Sequence, residues 1–143
     1  SLHDALPISQ GGQIVELKIP GTLYIYADEV KIGQVITNFL TNALKHTSAG
    51  QHITIQAYRK PDEETMHFEI RDDGEGIPES ELPYVWDRYH KTSRSFSRNQ
   101  LNTGLGLAIV KAILDAHDAQ YGVTSIVGKG STFWFELRET HEA

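Results

Sequence analysis

The sequence predicts an α/β (α+β) chain, with short strand segments interleaved between two long amphipathic helices. Two patterns carry that reading. Apolar and polar residues alternate through 13–19, 52–58, 66–71, 121–127 and 131–137, which is the period of half-buried strands. Apolar residues recur at helical spacing through 31–46, and again from Gly104 to about His117.

Each element has a local reason. Residues 1–10 carry no clear period and read as a linker end, with 11–143 forming one domain. Pro20-Gly21 breaks the first strand, and 23–27 reads as a short second one. Asp28 reads as the N-cap of the first helix, and Ser48-Ala49-Gly50 ends it. Segments 52–58 and 66–71 pair as a hairpin around a charged turn at Pro61, with Ile53, Ile55 and Ala57 setting the alternation of the first and Met66, Phe68 and Ile70 on one face of the second. A glycine-rich turn spans 72–78, and 79–86 reads as a short helix. Residues 88–103 are polar, basic and aperiodic, as in a functional lid. The last two strands flank a Gly128-Lys129-Gly130 turn.

The bulk numbers exclude several classes. A chain of 143 residues, 39% hydrophobic and 22% charged, suits one globular domain. It has no cysteine, so disulfides and thiolate metal sites are excluded. No apolar run approaches a membrane span or a secretory leader. A net charge of -6 argues against nucleic-acid binding. Positive charge gathers locally at Arg88, Lys91, Arg94 and Arg98, which suits a small anionic ligand.

Three segments carry candidate chemistry. On the first helix, Lys31, Gln34, Asn38, Asn42 and Lys45 fall in one stripe, opposite Ile32, Val35, Ile36, Phe39, Leu40, Ala43 and Leu44. The plain reading is a solvated face. Against it, asparagine is a poor helix former, costing about 0.5 kcal/mol against alanine at each interior site. Asparagine carbonyls also suit a hard divalent cation, and a lysine one turn on can neutralise phosphate. The second segment is Asp72-Asp73-Gly74-Glu75-Gly76-Ile77. It is either an ordinary turn or a strand-end carboxylate that accepts from an adenine amine. In the second case glycines would admit the base and Ile77 would pack on it. The third segment, Thr103-Gly104-Leu105-Gly106-Leu107, reads as a helix start, either a packed cap or N–H groups offered to phosphate. No Gly-Lys-[Ser/Thr] follows, so it is not a P-loop. Trp86 and Tyr89 read as anchors of the lid base.

With these segments in order, the chain resembles the catalytic, ATP-binding domain of bacterial sensor histidine kinases, within the superfamily shared by type II topoisomerases and mismatch-repair ATPases. The resemblance runs from about Gly11 to Leu137. Asn38–His46 is similar to that family's N box, Asp72–Ile77 to its first glycine box, Trp86–Tyr89 to its F box, and Thr103–Leu107 to its second glycine box. The resemblance implies a two-layer sandwich, a mixed sheet of about five strands with about three helices on one face. It implies that ATP lies between the first helix and the lid. Asn38 and Asn42 would hold Mg²⁺, Lys45 and His46 would meet phosphates or ribose, and Asp72 would hold the adenine amine. Lys91 would reach the γ-phosphate, Tyr89 would line the lid base, Gly104 and Gly106 would cradle phosphates, and Thr132 would help at adenine.

The chain departs from the family at Trp86 and Tyr89, which replace the commoner phenylalanines, and at Asn102, where a glycine is frequent. No His-Glu-x-x-Thr-Pro-like phosphoacceptor segment is present. The implied partners are therefore a dimerisation and phosphotransfer domain of the parent kinase and a response regulator. The implied setting is the cytoplasmic side of a membrane-anchored parent, with no direct membrane contact by this domain. Two rival enzymes share the boxes. A topoisomerase-type ATPase carries a glutamate base one turn before its Mg-binding asparagine, where this chain has Asn38, which cannot take a proton from water. An anti-sigma-factor-type serine kinase would modify serine on a partner. A non-catalytic contact domain is the third alternative.

Overall fold

A computed structural model describes residues 11–61, 64–87 and 98–139, with the side chains of 98–105 excepted. The linker reading of 1–10 and the lid residues Tyr89 and Lys91 lie outside the described residues.

Five strands form one mixed sheet. They are β1 (Ile14–Lys18), β2 (His52–Arg59), β3 (Thr65–Asp72), β4 (Gln120–Ile126) and β5 (Gly130–Arg138). Their order is β1-β2-β3-β5-β4, with β1–β2 parallel and the other pairs antiparallel. A parallel pair needs a long crossover. Here the helix α1 (Glu29–Lys45) supplies it between β1 and β2.

Asp28 caps α1 as expected, its carboxylate accepting the Lys31 N–H at 3.0 Å. Ile32, Val35, Phe39, Leu40 and Ala43 bury one face of α1 against the sheet. The sheet answers with Ile53, Ile55 and Ala57, then Met66, Phe68 and Ile70, then Phe133, Phe135 and Leu137. Phe39 sits at the centre, its ring centroid 5.5 Å from Phe133 and 6.4 Å from both Phe135 and Trp86. The second helix, α2 (Arg98–Ala116), packs beside α1 and buries Leu107, Val110, Ile113 and Leu114. Asp28 N–H donates to His117 Nε2 at 3.0 Å, tying the start of α1 to the end of α2.

Four expectations need correction. The described residues hold two α-helices on the sheet, not three. Segment 79–86 forms only a 3-10 turn at Leu82–Tyr84, because Pro83 lacks the N–H that an α-helix would donate to the Glu79 carbonyl. Residues 23–27 make no strand. Ile25 forms a single bridge to Glu139, since β5 is already paired on both edges over most of its length. Finally, α2 begins at Arg98 rather than Gly104. The stretch 98–103 contains no proline, so a polar, aperiodic composition did not forbid a helix. Gly104 and Gly106 then lie inside it, at a cost of about 1 kcal/mol each against alanine.

Candidate functional site

Alternation along β3 places Asp72 on the same face as Met66, Phe68 and Ile70, where the strand runs out of apolar partners. Its side chain is only 3% exposed. Burial pushes the Asp72 carboxyl above the usual aspartate range. The Gly74 N–H, nearby His46 and the Ser131 N–H pull it part of the way back. One oxygen accepts from Gly74 at 3.0 Å. A buried carboxylate at a strand end, held by backbone N–H groups, is expensive to maintain.

Beside it lies a small hydroxyl network. Ser131 pairs with Asp72 in the β3–β5 register. Ser125 Oγ accepts the Ile77 N–H at 2.7 Å, lies 2.8 Å from the Gly130 carbonyl and lies 2.8 Å from Ser131 Oγ. Ser125 has one hydroxyl proton, and the carbonyl can only accept it. Ser131 is therefore the donor to Ser125, which leaves Ser131 Oγ as an acceptor next to Asp72. The sequence named neither serine, and the family resemblance implied Thr132 at adenine instead. Thr132 pairs with Arg71, on the face away from Asp72. The signal was available, because the period of two that sets Phe133 and Phe135 inward also sets Ser131 inward.

The glycines of 74–76 serve backbone packing. A Cβ on Gly74 would sit 2.1 Å from the His46 carbonyl oxygen. Gly76 has φ +79°, and a Cβ there would meet the Ile126 carbonyl at 2.4 Å. The turn is thus clamped between the end of α1 and the end of β4, which fixes Asp72 and half-buried Ile77.

The polar stripe of α1 divides on folding. Lys31, Gln34 and Lys45 are exposed, and Asn38 is half-buried. Asn42 is 5% exposed and makes no side-chain hydrogen bond to any described residue. A buried amide without a partner is rare and costs about 1–3 kcal/mol. A merely solvated face does not account for it. Asn38 Nδ2 donates to the Gly106 carbonyl at 3.4 Å, joining the first helix to the glycine pair of α2. His46 lies 3.6 Å from Glu75. The contacts on this side thus join Asn38 to Gly106, and the His46 end of α1 to the turn of Asp72 and Gly74.

Other candidates fall elsewhere. Leu107 is a core residue. Thr103, Gly104 and Leu105 lie within α2, so in this conformation the N–H groups of Gly104 and Gly106 are not at a helix start. Trp86 packs edge-on to Tyr121 and Phe133 at 5.1 and 5.7 Å, as an anchor should. Among the described residues no group of three His, Cys, Asp or Glu could hold a metal.

Comparison with known proteins decides the family. Residues 27–141 match the family described as histidine kinase-, DNA gyrase B-, and HSP90-like ATPase. The chain belongs to that family. Within this ATPase family its relatives are sensor histidine kinases. It is 38% identical over 115 residues to sensor histidine kinase WalK of Bacillus subtilis, covering 80% of this chain and 19% of WalK. It is 41% identical over 106 residues to sensor histidine kinase AruS of Pseudomonas aeruginosa, covering 73% of this chain and 11% of AruS. The chain thus spans a fifth or less of the length of these relatives. Among solved structures, the mycobacterial sensor histidine kinase MprB superposes with a TM-score of 0.77 at 25% identity, covering 90% of this chain and 84% of that one. Full-length ShkA in complex with AMPPNP gives a TM-score of 0.77 at 26% identity, covering 99% and 27%. The expected ATPase-family fold and the histidine-kinase resemblance therefore both hold. No helix among the described residues is long and apolar enough to cross a membrane.

Proposed function

We propose that this chain is the ATP-binding catalytic domain of a two-component sensor histidine kinase. It would present the γ-phosphate of Mg-ATP to a histidine on a separate dimerisation domain, from which the phosphate would pass to a response regulator. The observation that carries this reading is the buried Asn42 amide, without a side-chain partner among the described residues, on the helix whose end clamps the Asp72 turn.

Each residue then has a task. Asp72 accepts from the adenine amine with the oxygen that Gly74 leaves free, and Ser131 Oγ offers a second acceptor beside it. Ile77 packs on the base. Asn38 and Asn42 supply amide oxygens to Mg²⁺, a cation that keeps several waters and takes few protein ligands. Bound magnesium would neutralise phosphate charge. Lys45, His46 and Lys91 would add positive charge along the phosphates, with Tyr89 at the base of the lid. Phosphoryl transfer needs little covalent help, so positioning and neutralisation suffice. For Gly104 and Gly106 to serve phosphates, the first turns of α2 have to open, and glycine's weak helix propensity keeps that cost small. Asn38 stands where a hydrolytic relative needs a carboxylate base, which disfavours the ATPase-clamp reading.

Amide chemical-shift mapping with AMPPNP and magnesium tests the assignment. Joint perturbation at 42, 72–77 and 104–107 is expected. Perturbation confined to one of these segments would contradict a shared site.

A further inference from the structure

The sheet face away from the helices carries a feature that nucleotide binding leaves unused. Residues opposite one another across β2, β3, β5 and β4 form a row of Thr54, Arg71, Thr132 and Thr124. Lys129, on the β4–β5 turn, lies at the strand end beside that row. Two adjoining clefts of about 360 and 270 Å³ share Arg71, Asp72 and Lys129 in their lining. The larger adds His52, Thr54 and Asp73, and the smaller adds Thr124, Thr132 and the 125–126 and 130–131 segments that flank the β4–β5 turn.

Arg71 and Lys129 are exposed and make no ion pair or side-chain hydrogen bond with any described residue. One carboxylate, Asp73, also lines the larger cleft and retains its charge there. Asp73 Oδ1 accepts the His52 N–H at 2.7 Å, and Asp72 turns to the opposite face. Glu69 and Glu136 lie farther along the open face, 2.9 and 2.7 Å from the two ring nitrogens of His67. They close that direction to a long acidic peptide.

We propose that this cleft binds a small tetrahedral oxyanion of the phosphate type, either free or as a phosphate monoester. Arg71 supplies a forked guanidinium, Lys129 a point charge, and the threonine hydroxyls donate to the remaining oxygens. Volumes near the lower end of roughly 300–1,000 Å³ for ligand sites suit a ligand of that size. The site opens on the other face of β3 from the proposed nucleotide pocket, shares Asp72, Ser125 and Ser131 with it as lining residues, and does not rest on the proposed kinase function.

The test is an amide NMR titration of the chain with inorganic phosphate and, separately, with glycerol 1-phosphate. Sodium chloride at matched ionic strength is the control. Saturating shifts at Thr54, Arg71, Lys129 and Thr132 are expected, weakened about tenfold or more in the Arg71→Gln/Lys129→Gln variant. Response to both ligands identifies a monoester site, and response to inorganic phosphate alone identifies a free-ion site. Shifts that chloride reproduces, that persist in the variant, or that appear only around Asn42 and Lys45 overturn the proposal. The spectrum of the variant itself reports whether it folds.

Discussion

The carbonyl oxygen of His46 fills the space where a side chain at Gly74 would begin, 2.1 Å from the position of a Cβ. The last residue after α1 and the turn that carries Asp72 are therefore locked together by backbone contact. Gly74→Ala should separate them. We expect a loss of about 1–3 kcal/mol in stability, as for other overpacked sites, with a larger loss of nucleotide affinity. Denaturant melts and calorimetry on one variant measure both. A Gly74→Ala chain that binds nucleotide normally would show that the contact does not position the site.

Asp72 should trade stability for binding. Its pKa is raised in the folded chain, with burial as the main cause. The sign follows from linkage. A raised carboxylate pKa means the folded state takes up a proton more readily, so the charged form costs stability at neutral pH and the cost fades as the pH falls. Asp72→Asn removes that cost. We expect a Tm at neutral pH equal to or above that of the parent chain, together with loss of ATP-analogue binding. A fall in both would mark Asp72 as structural.

Glu136 should behave in the opposite sense. Burial pushes its carboxyl up, but hydrogen bonds from His67 and Lys60 outweigh that and leave it below its ordinary value of 4.5. Its contribution is full above the ordinary value and is lost as the pH falls through the lowered one. The chain should lose stability on acidification below that range, and Glu136→Gln should flatten this limb of the profile. Parallel profiles for the two chains would exclude the contribution.

Phe39 is 1% exposed and meets three aromatic rings, Phe133 and Phe135 of β5 and Trp86. Phe39→Ala should cost about 3–5 kcal/mol. Urea unfolding gives the value directly, and a cost under about 1 kcal/mol would mean that the helix layer is held elsewhere.

Much of this architecture could be read from residue periodicity. The α1 cap at Asp28, the inward set from Ile32 to Ala43 and the β2–β3 hairpin follow from local pattern and appear as expected. Asp72 was placed correctly because a strand end and a glycine turn are both local signals. Other features depend on contacts that no local pattern records. Whether Asn42 is buried or solvated is decided by how α1 sits on the sheet. The reach of α2 back to Arg98 was hidden by its polar composition. The choice of Ser131 over Thr132 required only strict alternation from Phe133. The clamp on Gly74 needed coordinates, since nothing near Gly74 in sequence points to His46.

The most direct test is calorimetric titration of AMPPNP into the chain and its Asn42→Ala variant, each with and without magnesium. The account predicts magnesium-dependent binding to the parent chain, and loss of that dependence in the variant without loss of fold. Equal magnesium-dependent affinity in both chains would contradict it.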